Sequence, residues 1–149
     1  MKSLIAVKIE IIPCLSLLVL TSCTSYYLTT ESLKSQFNGA DSTDLIPVIV
    51  RGPVGEQYNY LANSISIIKC IDRNGNAIQL ENSPSIEMRV TEKNDKRTIF
   101  YFDRVFVNDS ILYGVQSRFV SSIRRTIKLK DIKKIEIQDG KKNFDYISK

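Results

Sequence analysis

Three thiols, sixteen carboxylates and no imidazole set the chemistry open to this chain of 149 residues. The missing histidine matters most. It removes the commonest general base near neutral pH and the commonest metal ligand. Ser-His-Asp and Cys-His relays are excluded, as are histidine-containing zinc sites. Cys70 would act as a nucleophile only with a base or a positive field beside it. Lys69 is adjacent in sequence, but neighbours on a strand point to opposite faces. Cys70 shares its parity with Ser64, Ser66 and Ile68. The spacing makes it a small core residue, with its burial left open by that mixed face.

Carboxylates are the other candidates. Asp103 and Asp109 flank an apolar strand, with Glu87 and Glu92 nearby. Two carboxyls about 5–10 Å apart could cleave a glycosidic bond, whereas single ones serve solvated faces and turns. Asp72-Arg73-Asn74-Gly75-Asn76 opens like a calcium loop, with oxygens at alternate positions. Such a loop needs glycine sixth and glutamate twelfth, where this chain has Ala77 and Ser83. The stretch is read as a hairpin turn, and no metal or cofactor is expected.

Cys23 carries the most specific chemistry. Met1–Ile9 holds two lysines, and Ile11–Leu20 is an apolar run interrupted only by Pro13 and Ser16. That length suits a signal peptide and is too short for the ~20 residues that span a bilayer. Glu10 is unusual in such a leader. Leu20-Thr21-Ser22-Cys23 follows at once and resembles the lipobox of bacterial lipoproteins. The resemblance implies that residues 1–22 are removed and that the Cys23 thiol accepts a diacylglyceryl group. Two or more acyl chains anchor stably where one binds marginally. Thr24, rather than aspartate, favours the outer membrane facing the periplasm by resemblance to the enteric sorting rule. With Cys14 lost and Cys23 acylated, Cys70 is left without a disulfide partner.

The formal charge is +5, which permits attraction to anionic surfaces without demanding it. Much of it lies late in the chain: Arg118, Arg124, Arg125, Lys128, Lys130, Lys133, Lys134, Lys141 and Lys142, opposed only by Asp131, Glu136 and Asp139. Arg124, Arg125, Lys128, Lys130, Lys133 and Lys134 are the candidates for contact with an anionic envelope surface, at about 1 kcal/mol each near anionic lipid. The alternative is a charged face that keeps edge strands from pairing with other molecules. Lys128 and Lys130 are expected on one strand face, opposite Ile127 and Leu129. Export takes the protein away from nucleic acid.

The elements that position these groups are mostly short strands. Residues 23–28 are read as a tether, and Thr29–Phe37 as a helix capped by Thr29 or Thr30 and ended by Asn38-Gly39. Residues 40–63 read as irregular, with a short strand over Leu45–Val50 and a helical turn over Glu56–Ala62. From Ser64 the apolar period is two: Ser64–Ile71, Ala77–Leu80, Ser85–Thr91, a long strand Arg97–Val107, Ile111–Val120 with Gly114 as a bulge or bend, Thr126–Leu129 and Lys134–Gln138. Asn94-Asp95 and Asn108-Asp109 are turns, Lys130–Lys133 is a tight turn, and Asp139-Gly140 begins a polar tail. Hairpin spacing of this kind predicts a mainly β fold, a small antiparallel barrel or sandwich with a short N-terminal helix. The ending LKDI–KKIEI is similar to that of SH3-like or Sm-like barrels.

Leu20–Cys23, SYYLTTESLKSQF, NSPSIEMRVTEKNDKRTIFYFDRV and IKKIEIQDGKKNF together resemble small lipoproteins of Bacteroidales-type bacteria, over about half the chain. The resemblance implies a signal peptide, an acyl anchor and a β-rich domain, and it assigns no residue besides Cys23. The expected organisation is a signal peptide over 1–22, a lipid-anchored tether, short helix and irregular segment over 23–63, and a β-rich domain over 64–149. The expected function is a non-catalytic cell-envelope lipoprotein serving as a binding or assembly module. Its expected partners are the membrane through Cys23 and an envelope protein or anionic envelope surface. The alternative is a carboxylate-dependent periplasmic hydrolase acting on envelope glycans.

Overall fold

A computed structural model describes residues 24–38 and 45–149; the expected leader, Cys14, Cys23 and Gly39 lie outside the described residues. In chain order the strands are β1 (Tyr26–Leu28), β2 (Ile46–Arg51), β3 (Gln57–Ala62), β4 (Ile67–Ile71), β5 (Ala77–Glu81), β6 (Ile86–Glu92), β7 (Arg97–Tyr101), β8 (Val105–Asn108), β9 (Ile111–Val115), β10 (Arg124–Lys128), β11 (Ile132–Asp139) and β12 (Asp145–Ser148). Helix α1 (Thr30–Phe37) follows β1. Six strands form one sheet in the order β5-β4-β1-β11-β6-β7, and two three-stranded sheets run β10-β9-β8 and β12-β2-β3. The fold is mainly β, antiparallel, with one short helix near the N-terminus. No sheet closes among the described residues, so the barrel form of the expectation is not realised.

Local chemistry explains the elements. Thr29 is the helix N-cap, its Oγ accepting from the Ser32 amide at 3.0 Å, and Glu31 complements the positive helix end. Leu33 and Phe37, four apart, put one buried stripe on the core. Asn38 ends the helix in an extended conformation rather than a left-handed one. Asp72 closes the β4–β5 hairpin by accepting from the Asn74 and Asn76 amides at 2.8 and 2.9 Å, with Gly75 at φ +84°. The Asn76 side-chain amide, which donates to Asp72 Oδ2 at 2.9 Å, comes first and these backbone bonds next in holding the Asp72 carboxyl below its ordinary value.

The main core gathers Leu33 and Phe37 from α1, Ile68 and Cys70 from β4, Met88 and Val90 from β6, Phe100 and Phe102, Leu112, and Ile135 and Ile137 from β11. Each large apolar side chain taken from water contributes roughly 1.5–3 kcal/mol. Cys70 belongs to this core. It is buried beside Ile68, and burial pushes its thiol up. Gly114 is no bulge: it pairs in register with Val105 and Arg125. Its lack of a side chain makes room for Phe100, whose Cδ1 would lie 2.3 Å from a Cβ there. A smaller core joins Val48, Val50, Ala62 and Phe144, flanked by Tyr58, Tyr60 and Tyr146.

Several expectations are overturned. Tyr26–Leu28 is not tether but a strand between β4 and β11, because its backbone completes the hydrogen bonding of both. Residues 57–62 form β3, not a helical turn; β2 pairs with them from Ile46↔Ala62 to Arg51↔Gln57. The long strand 97–107 breaks at a 3₁₀ turn, Phe102–Arg104. All three turn residues are buried, which a strand with one wet face cannot provide. The strand expected to reach Val120 ends at Val115, beyond which Arg118 is buried. The polar tail is an ordered return. Lys141 and Asn143 adopt φ of +49° and +50°, Phe144 is buried, and its backbone exchanges hydrogen bonds with Ser85 Oγ.

Candidate functional site

The 3₁₀ turn Phe102–Arg104 is the hub of the polar interior. Asn63, just past β3, holds it: its amide donates to the Asp103 carbonyl at 2.8 Å, and its Nδ2 donates to the Phe102 and Val105 carbonyls at 2.7 and 3.1 Å. Asn82 in turn donates to Asn63 Oδ1 at 3.1 Å. A buried backbone reversal thus has its carbonyls satisfied.

The turn aims Asp103 and Arg104 in different ways. Asp103 pairs with Arg118 at 3.1 Å, both side chains wholly excluded from water. Tyr60 and Tyr146 donate their hydroxyls to Asp103 Oδ2, the latter at 3.0 Å. Arg118 also donates to the Tyr60 hydroxyl and the Pro84 carbonyl, and its guanidinium lies 3.9 Å from the Tyr101 ring centroid. Burial first, then the Asp103 charge, pushes both tyrosine hydroxyls far above their ordinary value. They remain neutral donors.

Arg104 also lies over the Tyr60 ring. Its guanidinium is 4.6 Å from the Tyr60 centroid and donates to the Ser117 carbonyl at 3.0 Å. Its Nε is buried with no hydrogen-bond partner among the described residues. Burial chiefly depresses its pKa. Tyr60 and Asp103 oppose that effect, while the charges of Arg118 and Arg124 add to it.

Arg104 forms one wall of a cleft of about 530 Å³ between β3 and the β8–β10 sheet. Tyr60, Leu61, Phe106 and Tyr113 supply aromatic and aliphatic surface, and Arg124 and Arg125 close the β10 side. No carboxylate lines it among the described residues. Arg125 is bonded to Glu92, while Arg124 donates its Nε to the Ser121 carbonyl at 3.0 Å and makes no other side-chain hydrogen bond among the described residues. Among the described residues the cleft therefore carries an excess of positive charge beside apolar surface.

The six basic candidates from the sequence differ in their elements and partners. Arg124 and Arg125 reach the cleft; Lys128 ends β10, the sheet's edge strand. Lys130 lies in a 3₁₀ turn, Leu129–Asp131, and so does not share a strand face with Lys128. Lys133 pairs with Asp95 at 2.6 Å, and Lys134 with Glu136 at 2.9 Å. The carboxylates also have partners: Glu87 with Lys142 at 2.6 Å and Arg89 at 3.1 Å, and Glu92 with Arg125. Asp109 sits in its turn at φ +51°. Sequence reading missed Tyr60, Arg104 and Tyr113, because nothing local shows that β3 crosses in front of the 102–104 turn.

Fold and site define an open antiparallel β protein with a closed ion pair beneath an arginine-lined cleft. Comparison with protein-family models, curated proteins and solved structures returns no match.

Proposed function

We propose that this chain is a non-catalytic lipoprotein of the bacterial cell envelope, anchored by acyl chains on Cys23, whose β domain is a binding or assembly module. The observation that carries the binding reading is the cleft, which sets three arginines against aromatic walls with no carboxylate in its lining among the described residues. Concave, mostly apolar sites with a few convergent polar groups are the usual form of a ligand site. The pairing of Asp103, Glu87 and Glu92 with cations favours binding over acid–base chemistry on glycans.

The address rests on Leu20–Cys23. Only Thr24 and Ser25 separate Cys23 from β1, about 10 Å of extended chain. An anchor there holds the Tyr26 end of the large sheet against the bilayer. Metabolic labelling with a palmitate analogue, followed by membrane fractionation, tests this. Wild-type protein takes label in the outer-membrane fraction, and Cys23→Ala takes none. Unlabelled wild type, or equal label on the variant, refutes the anchor.

A further inference from the structure

We propose that the cleft between β3 and the β8–β10 sheet binds a small soluble organic oxyanion, a carboxylate or phosphate carried on a flat apolar body. This deepens the binding-module reading and rests on it.

Charge gives the head group. Arg104 and Arg124 stand on the cleft without a carboxylate partner among the described residues, and Arg125 shares Glu92. Arg104 cannot turn away, because it is buried, stacked on Tyr60 and tied to the Ser117 carbonyl. The neighbouring carboxylate that could neutralise it, Asp103, is committed to Arg118 and two tyrosines. A planar guanidinium held in place is suited to a carboxylate or phosphate, which it can meet with two parallel hydrogen bonds.

The walls give the body. Tyr113 and Leu61 are exposed at the cleft although both are large and apolar, and Phe106 lines the cleft with them. Stacking on such rings favours a flat apolar group over a sugar or a free ion. The volume of about 530 Å³ falls in the range of small-molecule sites. Bare phosphate would leave the apolar wall unused, and a neutral aromatic would leave the arginines unanswered.

Titration calorimetry on the full chain in neutral-lipid nanodiscs, with empty nanodiscs as reference, provides the test. The probes are 2-naphthyl phosphate, 2-naphthoate, 2-naphthol and inorganic phosphate. The two naphthyl anions bind, and naphthol and inorganic phosphate bind at least tenfold more weakly. Arg124→Glu and Tyr113→Ala, both at exposed positions, each weaken the naphthyl anions at least tenfold with unchanged circular dichroism. The proposal is overturned if the naphthyl anions fail to bind, if naphthol or inorganic phosphate matches them, or if Arg124→Glu leaves them unchanged. Protein that takes acyl label yet ignores the probes defeats the ligand class alone. Protein that binds them without acyl label defeats the envelope reading alone.

Discussion

Arg118 Nη2 lies 3.1 Å from Asp103 Oδ1 with neither side chain touching water, and the pair joins four separate pieces of chain. Asp103 sits in the turn after β7, Arg118 in the loop after β9, and the two tyrosines that complete the site come from β3 and β12. The ion pair is therefore a clamp between the large core and the small β12-β2-β3 sheet.

Breaking one side of that clamp strands a buried charge. Asp103→Ala leaves Arg118 uncompensated and should cost about 3–5 kcal/mol, whereas the double change Asp103→Leu with Arg118→Met should cost clearly less than either single removal. Urea unfolding followed by circular dichroism measures Asp103→Ala, Arg118→Met and the double variant. A double variant as damaged as the sum of the singles would contradict this account.

Gly114 tests the packing beneath the cleft. A methyl group there meets the Phe100 ring at 2.3 Å, and Phe100 is fully buried. Gly114→Ala should destabilise by about 1–3 kcal/mol through overpacking. Adding Phe100→Leu opens the space, so the double variant should lose less than the sum of its parts. Strict additivity in thermal unfolding would show that the two positions do not meet.

The Glu87–Lys142 pair predicts a shape for stability against pH. Burial alone raises the Glu87 carboxyl, but Lys142 and Arg89 outweigh it and hold it below its ordinary 4.5. A carboxyl depressed in the fold contributes stability that is present above the unfolded value and lost as pH falls through the folded one. Urea midpoints should therefore drop on the acid side of 4.5, and Glu87→Gln should flatten that limb. For Lys142, burial lowers the ammonium, but Glu87 and Tyr101 overcome it and raise it above 10.5. Its contribution is full below 10.5 and fades as pH rises through the higher folded value. An acid limb equally steep in Glu87→Gln would sink this assignment.

What the sequence determined by itself is everything set within a few residues. Period-two alternation marked β4 through β7 and β11, the Thr29-Thr30 pair marked the helix start, and Asp72, Asp95 and Asp109 marked turns, because these depend on local backbone preferences and side-chain reach. The lack of histidine also needed no structure. Tertiary structure alone decided the rest. Tyr26–Leu28 is too short to read as a strand and exists because β4 and β11 flank it. Phe102-Asp103-Arg104 reads as strand until Asn63 and Arg118 arrive from elsewhere to satisfy a buried turn. Phe144 and Tyr146 look like tail until Ser85 and Asp103 receive them. A basic residue's role likewise depended on which carboxylate the fold brought within reach: Lys133 found Asp95, while Arg124 found none among the described residues. Long-range pairing leaves no periodic trace, since the partners of a buried charge are chosen by the path of the whole chain.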